Sequence, residues 1–324
     1  MIAFIVRRLI QSVIVMLVIG FIGFAVQHNL GDPTWEMVGM STSAVEREKL
    51  RDELGLNDPF FVQYGRFLFK ALMGDLGTSY FYRKPTLQVI LNKAPATIEL
   101  VISSAIVIVL ICLPAGVFTA IYPKNWFSRL IMGASTIGVA VPVFLTAIVL
   151  IFIFGVELNW MPTYGRGETV SIGWWESGYF TLDGIKHLIL PTISLSSIML
   201  PLFIRLIRSE MMEVLETEYI KFAWAKGLSP KRVWMVHAFK NTLLPVITVF
   251  TVNMGVLFAF TILTETVFQW PGMGFMFLEA IERSDTALLV AYLVVVGVMF
   301  VVINTLTDIL YGYINPMVRI TGTK

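Results

Sequence analysis

Charge is scarce in this chain. Only 14% of its 324 residues are Asp, Glu, Lys or Arg, whereas an ordinary soluble domain carries about 25%. With 56% hydrophobic residues and a mean hydropathy of +0.78, the chain is too apolar for a typical soluble enzyme. Cysteine is nearly missing. The single Cys112 excludes an intrachain disulfide and a multi-cysteine metal centre. Its place in an apolar run suits a small buried hydrophobe. His28, His187 and His237 lie far apart and show no metal-ligand spacing. There is no GxxxxGK[ST] phosphate loop, no nucleophile elbow, no HExxH and no pair of carboxylates at a catalytic spacing. The expectation is a chain that is not an enzyme and holds no metal or cofactor of its own.

What fills the chain is long apolar runs. A membrane helix needs about 20 mostly apolar residues, and six segments qualify: 9–27, 97–121, 130–156, 188–207, 244–264 and 287–311. The expected fold is an all-α membrane protein of six spans. Arg7 and Arg8, within residues 1–8, leave a signal peptide as the competing reading of the first run. That run is long for one, and Ala25-Val26-Gln27-His28 offers no small-x-small cleavage site. Pro114 and Pro142 fall inside spans two and three and mark candidate kinks, whether mobile or static. Pro191 and Pro201 flank the core of the fourth.

The connections carry their own signals. Residues 28–96 form a small polar insertion. Ser43 and Glu46 make a capping signature for a helix that runs to Leu54, with Gly55 as its stop. Phe60 to Leu72 reads as a second amphipathic helix with Gly74 behind it, partly interfacial because aromatic residues crowd it. The loop 157–187 holds Trp160, Tyr164, Trp174, Trp175 and Tyr179, which suits the headgroup level. The loop 265–286 is short and turn-rich around Gln269 to Gly274.

Lysine and arginine are unevenly placed. Arg7, Arg8, Lys124, Arg129, the basic residues of 208–243 and Arg319 and Lys324 of the tail 312–324 fall on one side. The opposite short loops carry only Arg166, Lys186 and Arg283. This bias predicts cytoplasmic termini and a cytoplasmic 208–243 loop. Within the spans, ionisable groups are rare: Glu99 stands near the outer end of the second and Asp308 near the inner end of the sixth. Ion-coupled carriers bury such groups near the bilayer centre, so their scarcity counts against a self-driven transporter.

One polar stretch breaks the second half of the chain. Glu218 to Pro245 reads as two short helices separated by Gly227-Leu228-Ser229-Pro230. Gly227 can adopt the left-handed conformation that ends a helix, Ser229 can cap the next one, and Pro230 suits its first position. A basic helix pair lying on anionic lipid is the competing reading.

These residues resemble the cytoplasmic signature of binding-protein-dependent ABC importer permeases, in the version of the dipeptide, oligopeptide and nickel family. The resemblance rests on Glu218, Tyr219, Ala223, Ala225, Lys226, Gly227, Leu228 and Ser229, then His237-Ala238, Asn241, Leu243 and Pro245. It extends to Leu54-Gly55-Leu56-Asn57-Asp58-Pro59 with Gln63-Tyr64, Gly74 to Ser79, Trp160-Met161-Pro162 with Gly165-Arg166-Gly167, His187 to Pro191, Glu265 to Gly274 and Asn315 to Arg319. The general importer signature, Glu-Ala-Ala with Gly four residues after its last Ala, is met only at Ala223, since Lys221 and Phe222 hold the other two places. That departure narrows the subfamily.

The resemblance implies a type I ABC importer permease fold in a bacterial inner membrane, and the long region before the second span suits the first of two paired permeases. It implies a second homologous permease, two nucleotide-binding ATPase subunits that bind ATP and Mg, an extracytoplasmic solute-binding protein, lipid contact and no nucleic acid. A helix from Glu218 to Lys226, about 13 Å long, would dock on an ATPase, with small Ala223 and Ala225 allowing close approach. The path would run between the permeases, with Thr248, Thr251, Asn253, Thr261 and Thr264 as candidate lining, and Glu265, Gln269 and Trp270 as candidate contacts for the binding protein. Peptides, nickel chelates, glutathione and peptide-like antibiotics all stay open as cargo. A self-sufficient transporter or channel and a membrane anchor without a path are the competing classes.

Overall fold

The computed structural model describes residues 13–15, 17–25, 34 and 44–314. Arg7, Arg8, His28, Ser43 and the 315–319 motif lie outside the described residues, as does the side chain of Asp308. The chain divides into two compact units, 1–95 with 173–175 and 271–302, and 96–172 with 176–270 and 303–324. Each is taken by itself.

In the first unit, the two expected helices of the insertion are present as α1 (Ala44–Leu54) and α2 (Phe60–Leu72). Gly55 and Gly74 stop them at φ +65° and +82°, a region that costs a side-chain-bearing residue steric strain. Gln63 closes the corner between them. Its Nε2 donates to the carbonyls of Leu56 (2.9 Å) and Asp58 (2.7 Å), and Arg66 pairs with Asp58 at 2.5 Å. Phe60, Tyr64 and Phe67 pack around Phe24, and Tyr64 Oη donates to the Leu17 carbonyl at 2.8 Å. Phe61 and Phe69 remain exposed, so the other side of α2 is open.

The segment 265–286, expected as a loop, contains a further helix, Met273–Glu282. Apolar Met273, Met276 and Ala280 are buried along one side of it, a short period that the turn signals before it obscure. Asp285 then accepts hydrogen bonds from Ser79 Oγ (2.5 Å), Phe81 N (3.2 Å) and Leu288 N (3.2 Å). The last of these caps the helix Thr286–Ile314.

The second unit contains most of the long helix α3 (Thr86–Ile121), which starts eleven residues before the span expected at 97 and passes through Pro95 and Pro114 without a break. Pro142 behaves differently. The predicted span 130–156 is two helices, α4 (Trp126–Ala140) and α5 (Val143–Leu150), continued as a wide π-helical turn to Glu157 and bent by 110°. Val141 is extended (φ −88°, ψ 119°), as a residue before proline prefers. The predicted span 188–207 is likewise two helices, α6 (Leu182–Ser196) and α7 (Leu200–Leu215), bent by 57°. Pro201 cannot donate to the turn before it, and the Ser196 and Ser197 hydroxyls bond the carbonyls of Thr192 and Ser194 there, both at 2.6 Å. A two-stranded hairpin, Val170–Ile172 with Trp175–Ser177, is the one β-sheet among the described residues.

By length and composition, three helices among the described residues can cross a membrane: Thr86–Ile121, Pro230–Val267 and Thr286–Thr305. Each bent pair, taken as one span, raises the number to five. The first predicted span, 9–27, is helical at 13–15 and 17–25 and otherwise outside the described residues. The core of the second unit includes Leu100, Ile108 and Cys112 of α3 and Phe203, Ile207 and Met211 of α7, all buried. Helices α3 and α7 approach closely at Gly116, where an added Cβ would stand 2.6 Å from Ile207 and 3.2 Å from the Ile204 carbonyl.

Gly116→Val is therefore expected to destabilise the protein by about 1–3 kcal/mol through overpacking, which exceeds the gain in helix propensity of under about 1 kcal/mol. The unfolding midpoint of the purified protein in detergent should fall; an unchanged midpoint would show that α3 and α7 do not meet here.

Candidate coupling site

After α7, Thr217 Oγ1 donates to the Val214 carbonyl (2.6 Å) and the chain turns extended (ψ 152°). The next helix, α8, is Glu218–Ala225. Glu218 in its first turn suits the helix dipole and pairs with Lys221 at 2.8 Å. That hydrogen bond raises the Lys221 pKa, although an exposed pair of this kind contributes little stability. Gly227 ends the helix at φ +74°, its N–H donating to the Trp224 carbonyl at 2.9 Å. Lys226 places its ammonium 4.6 Å from the Phe222 ring centre, a cation–π contact.

Two details of the predicted hinge change. Ser229 makes no side-chain cap; its carbonyl instead accepts from Arg232 N (2.9 Å) and Val233 N (3.0 Å). The second helix is not short. It is α9, Pro230–Val267, 38 residues long, with Pro230 in its first turn and a π-helical turn at Val233–Ala238. Asn241 of α9 donates to Tyr219 Oη of α8 at 2.7 Å and to the His237 carbonyl at 3.0 Å. That bond explains why Tyr219 and Asn241 belong to one signature.

The facing of α8 corrects the reading of its alanines. Ile220 (0% exposed) and Ala223 (6%) point into the chain, where Val233 and Ala238 are also buried. Residues three apart share a helix face, so Ala223 allows close packing inside the chain and only Ala225 of the pair is exposed. Outward stand Phe222 (61%), Tyr219 (44%) and Trp224 (40%), with Lys221 and Lys226 beside them and Lys231, Arg232 and Lys240 exposed on α9. Exposed aromatics on a polar connection mark an interaction surface. No cluster that could hold a metal ion occurs among the described residues.

The candidate lining residues of α9 mostly serve their own helix. Thr248, Thr251, Asn253 and Thr261 donate to the carbonyls of Leu244 (3.0 Å), Ile247 (2.8 Å), Val249 (2.8 Å) and Phe258 (2.7 Å). Thr251 and Asn253 are half-buried, whereas Thr261 and Thr264 are buried.

Beyond α9, Glu265 is buried and accepts from Thr97 Oγ1 at 2.6 Å. Trp270 is buried as well, its Nε1 donating to the Ala96 carbonyl at 3.0 Å. Of the three residues expected to meet a binding protein, only Gln269 is exposed. Both buried side chains satisfy their polar groups inside the chain, which the sequence does not display.

The partner of Glu99 was also missed. Glu99 (1% exposed) pairs with Arg166 at 2.7 Å and accepts from Gly178 N at 3.2 Å. Arg166 also donates to the Glu176 carbonyl at 2.5 Å, with the Trp270 ring 6.0 Å away. Tyr179 Oη donates to the Glu99 carbonyl at 2.8 Å, and burial pushes its pKa up, so it stays a donor. The available signal was an acid at a span end, which requires a partner, and a lone arginine between Gly165 and Gly167.

A membrane-spanning helical body with a short exposed helix inserted between two crossings has the architecture of a type I ABC importer permease. A chain of the MetNI methionine ABC transporter, in an inward facing conformation, shares the fold with a TM-score of 0.56, at 14% identity over 70% of this chain and 96% of that one. Residues 112–320 match the family described as binding-protein-dependent transport system inner membrane component, and residues 1–101 match its N-terminal counterpart. The dipeptide transport system permease protein DppB of Alkalihalophilus pseudofirmus is 37% identical over 332 residues, spanning 98% of this chain and 100% of the relative. DppB of Escherichia coli strain K12 is 35% identical over 337 residues, spanning 98% and 99%. The chain belongs to the family of binding-protein-dependent transport system inner membrane components.

At Gly227 an added Cβ meets nothing within 4 Å, so a substitution there tests backbone strain alone. Gly227→Val is expected to loosen the end of α8 by about 1–2 kcal/mol, and Gly227→Asn by less. Amide hydrogen exchange in residues 218–227 should speed up in that order. Equal protection in both variants would contradict the left-handed stop.

Proposed function

We propose that this chain is one of the two paired permeases of an ATP-driven, binding-protein-dependent importer that carries dipeptides, oligopeptides or peptide-like solutes. The observation that carries the proposal is the face of α8. Its apolar anchors are buried in this chain, yet Tyr219, Phe222 and Trp224 keep 44%, 61% and 40% of their surface exposed. A docking surface for an ATPase subunit explains that pattern, and the surrounding lysines and arginine complement an acidic rim.

In this reading two ATPase subunits bind ATP and Mg and close on each other, and α8 carries that motion into α7 and α9. A second homologous permease completes the path. A solute-binding protein meets the opposite face, where Gln269 is available. The lysine and arginine bias puts α8 and both termini on the cytoplasmic side of a bacterial inner membrane. Peptide cargo is favoured by the naming of the relatives as dipeptide permeases across nearly the whole chain.

The test is uptake by the complete complex in vesicles. ATP-dependent entry of a labelled dipeptide should exceed that of glutathione or a nickel chelate; the reverse order would reassign the cargo. Phe222→Asp puts a carboxylate into the docking face. Loss of a central aromatic anchor is worth about 2 kcal/mol or more, so uptake should fall by about thirtyfold while the permease pair still assembles. Native uptake by this variant would remove α8 from the energy path.

A further inference from the structure

Helix α8 is joined directly by the backbone to α7 and α9, but not to the α3–α4 corner. Non-covalent contacts between aromatic rings bridge that gap. Trp224 of α8 meets Trp234 of α9 at 6.4 Å between centres and 71° between planes. Trp234 meets Tyr122, just past α3, at 5.9 Å and 74°. Tyr122 contacts Phe118 of α3 at 5.3 Å, Phe118 contacts Phe127 of α4 at 5.7 Å, and Phe127 contacts Trp126 at 5.7 Å. Six rings thus run without a gap from α8 to the end of α3 and the start of α4. Four of the five steps are edge-to-face, the arrangement that aromatic quadrupoles favour, and the Tyr122–Phe118 step is tilted.

We propose that Trp234 and Tyr122 are positioning residues through which movement of α8 reaches α3 and α4, in addition to the backbone route into α7 and α9. The inference rests on the coupling role proposed for α8.

The two rings that bridge α9 and the α3–α4 corner, Trp234 and Tyr122, are both set in hydrogen-bonded backbone turns. Trp234 lies in the π-helical turn Val233–Ala238, between buried Val233 and buried Ala238, and its carbonyl accepts from Phe239 N. Such wide turns recur at functional sites. On the far side, Tyr122 N bonds the Phe118 carbonyl (2.9 Å), Asn125 N bonds the Tyr122 carbonyl (3.1 Å), and Asn125 Oδ1 caps α4 by accepting from Phe127 N at 2.8 Å. The corner is a hydrogen-bonded turn, so a push on the Tyr122 ring moves both helix ends together. Rings have few rotatable bonds, so a displaced ring pushes on the ring it touches. Spatial continuity alone does not demonstrate coupling, which sets the form of the test.

Uptake and ATP hydrolysis are measured in the same vesicles with the complete complex. Trp234→Ala is expected to lower solute carried per ATP by about three- to tenfold while hydrolysis stays within about twofold. Trp234→Phe, which keeps a ring, should recover most of that ratio. Tyr122→Ala should reproduce the loss, and the double variant should be no worse than either single, because both break one route. An unchanged ratio in the single variants, or losses that multiply in the double, would overturn the proposal. Should Trp234→Ala not assemble, Trp234→Leu is read by the same criteria. Phe222→Asp alongside separates the two readings. Native uptake in that variant removes the coupling role of α8 itself; lost uptake there with an unchanged ratio in Trp234→Ala removes only the ring route.

Discussion

Burial of Ile220 and Ala223 determines which way α8 faces, and the functional surface follows from that. A helix of 8 residues is far below the length at which helices hold together alone in water, about 12–15 residues. It persists because two apolar side chains are packed inside the chain and because Asn241 holds Tyr219 from α9. Gly227 then ends it abruptly and lets the chain turn into the long helix α9. With its inner face committed, the outer face has one composition available: Tyr219, Phe222, Trp224 and the flanking lysines. The same packing joins α8 to the span that follows it, so a force on the outer face acts on a membrane helix rather than on a loose loop.

The helical body around α8 is shaped by the need to satisfy backbone groups away from water. Five prolines sit in apolar runs of the second unit with unequal results. Pro114, Pro191 and Pro245 are absorbed inside helices, whereas Pro142 and Pro201 stand at the breaks of bent pairs. Just before the second break, serine hydroxyls bond the carbonyls of Thr192 and Ser194. Buried charge is handled in the same spirit. Glu99 is tolerable at 1% exposure only because Arg166 and Gly178 N meet it, and removing either partner of such a pair costs about 3–5 kcal/mol.

Much of this was legible in the sequence. The apolar runs locate the helices, Gly55 and Gly74 mark the ends of α1 and α2, and the position of Gly227 marks the end of α8, because each feature depends on local chemistry. What depended on packing was not legible. Hydrophobicity says that Ala223 belongs against something, but not whether that is this chain or a partner. Proline content cannot distinguish Pro114, inside a continuous helix, from Pro142, at a bend of 110°. Glu265 and Trp270 look like surface residues in a turn-rich segment, yet their polar atoms bond Thr97 and the Ala96 carbonyl, more than a hundred residues away. The ring contacts of Trp234 with Tyr122 are equally non-local.

In the proposed function α8 is the point where work from an ATPase subunit enters this chain. The most direct measurement places a photoreactive amino acid at position 222 in the intact complex, with position 220 as the buried control. Illumination should join position 222 to an ATP-hydrolysing subunit and leave position 220 without such an adduct. Adducts from position 222 to lipid alone, or an equal yield from position 220, would contradict it.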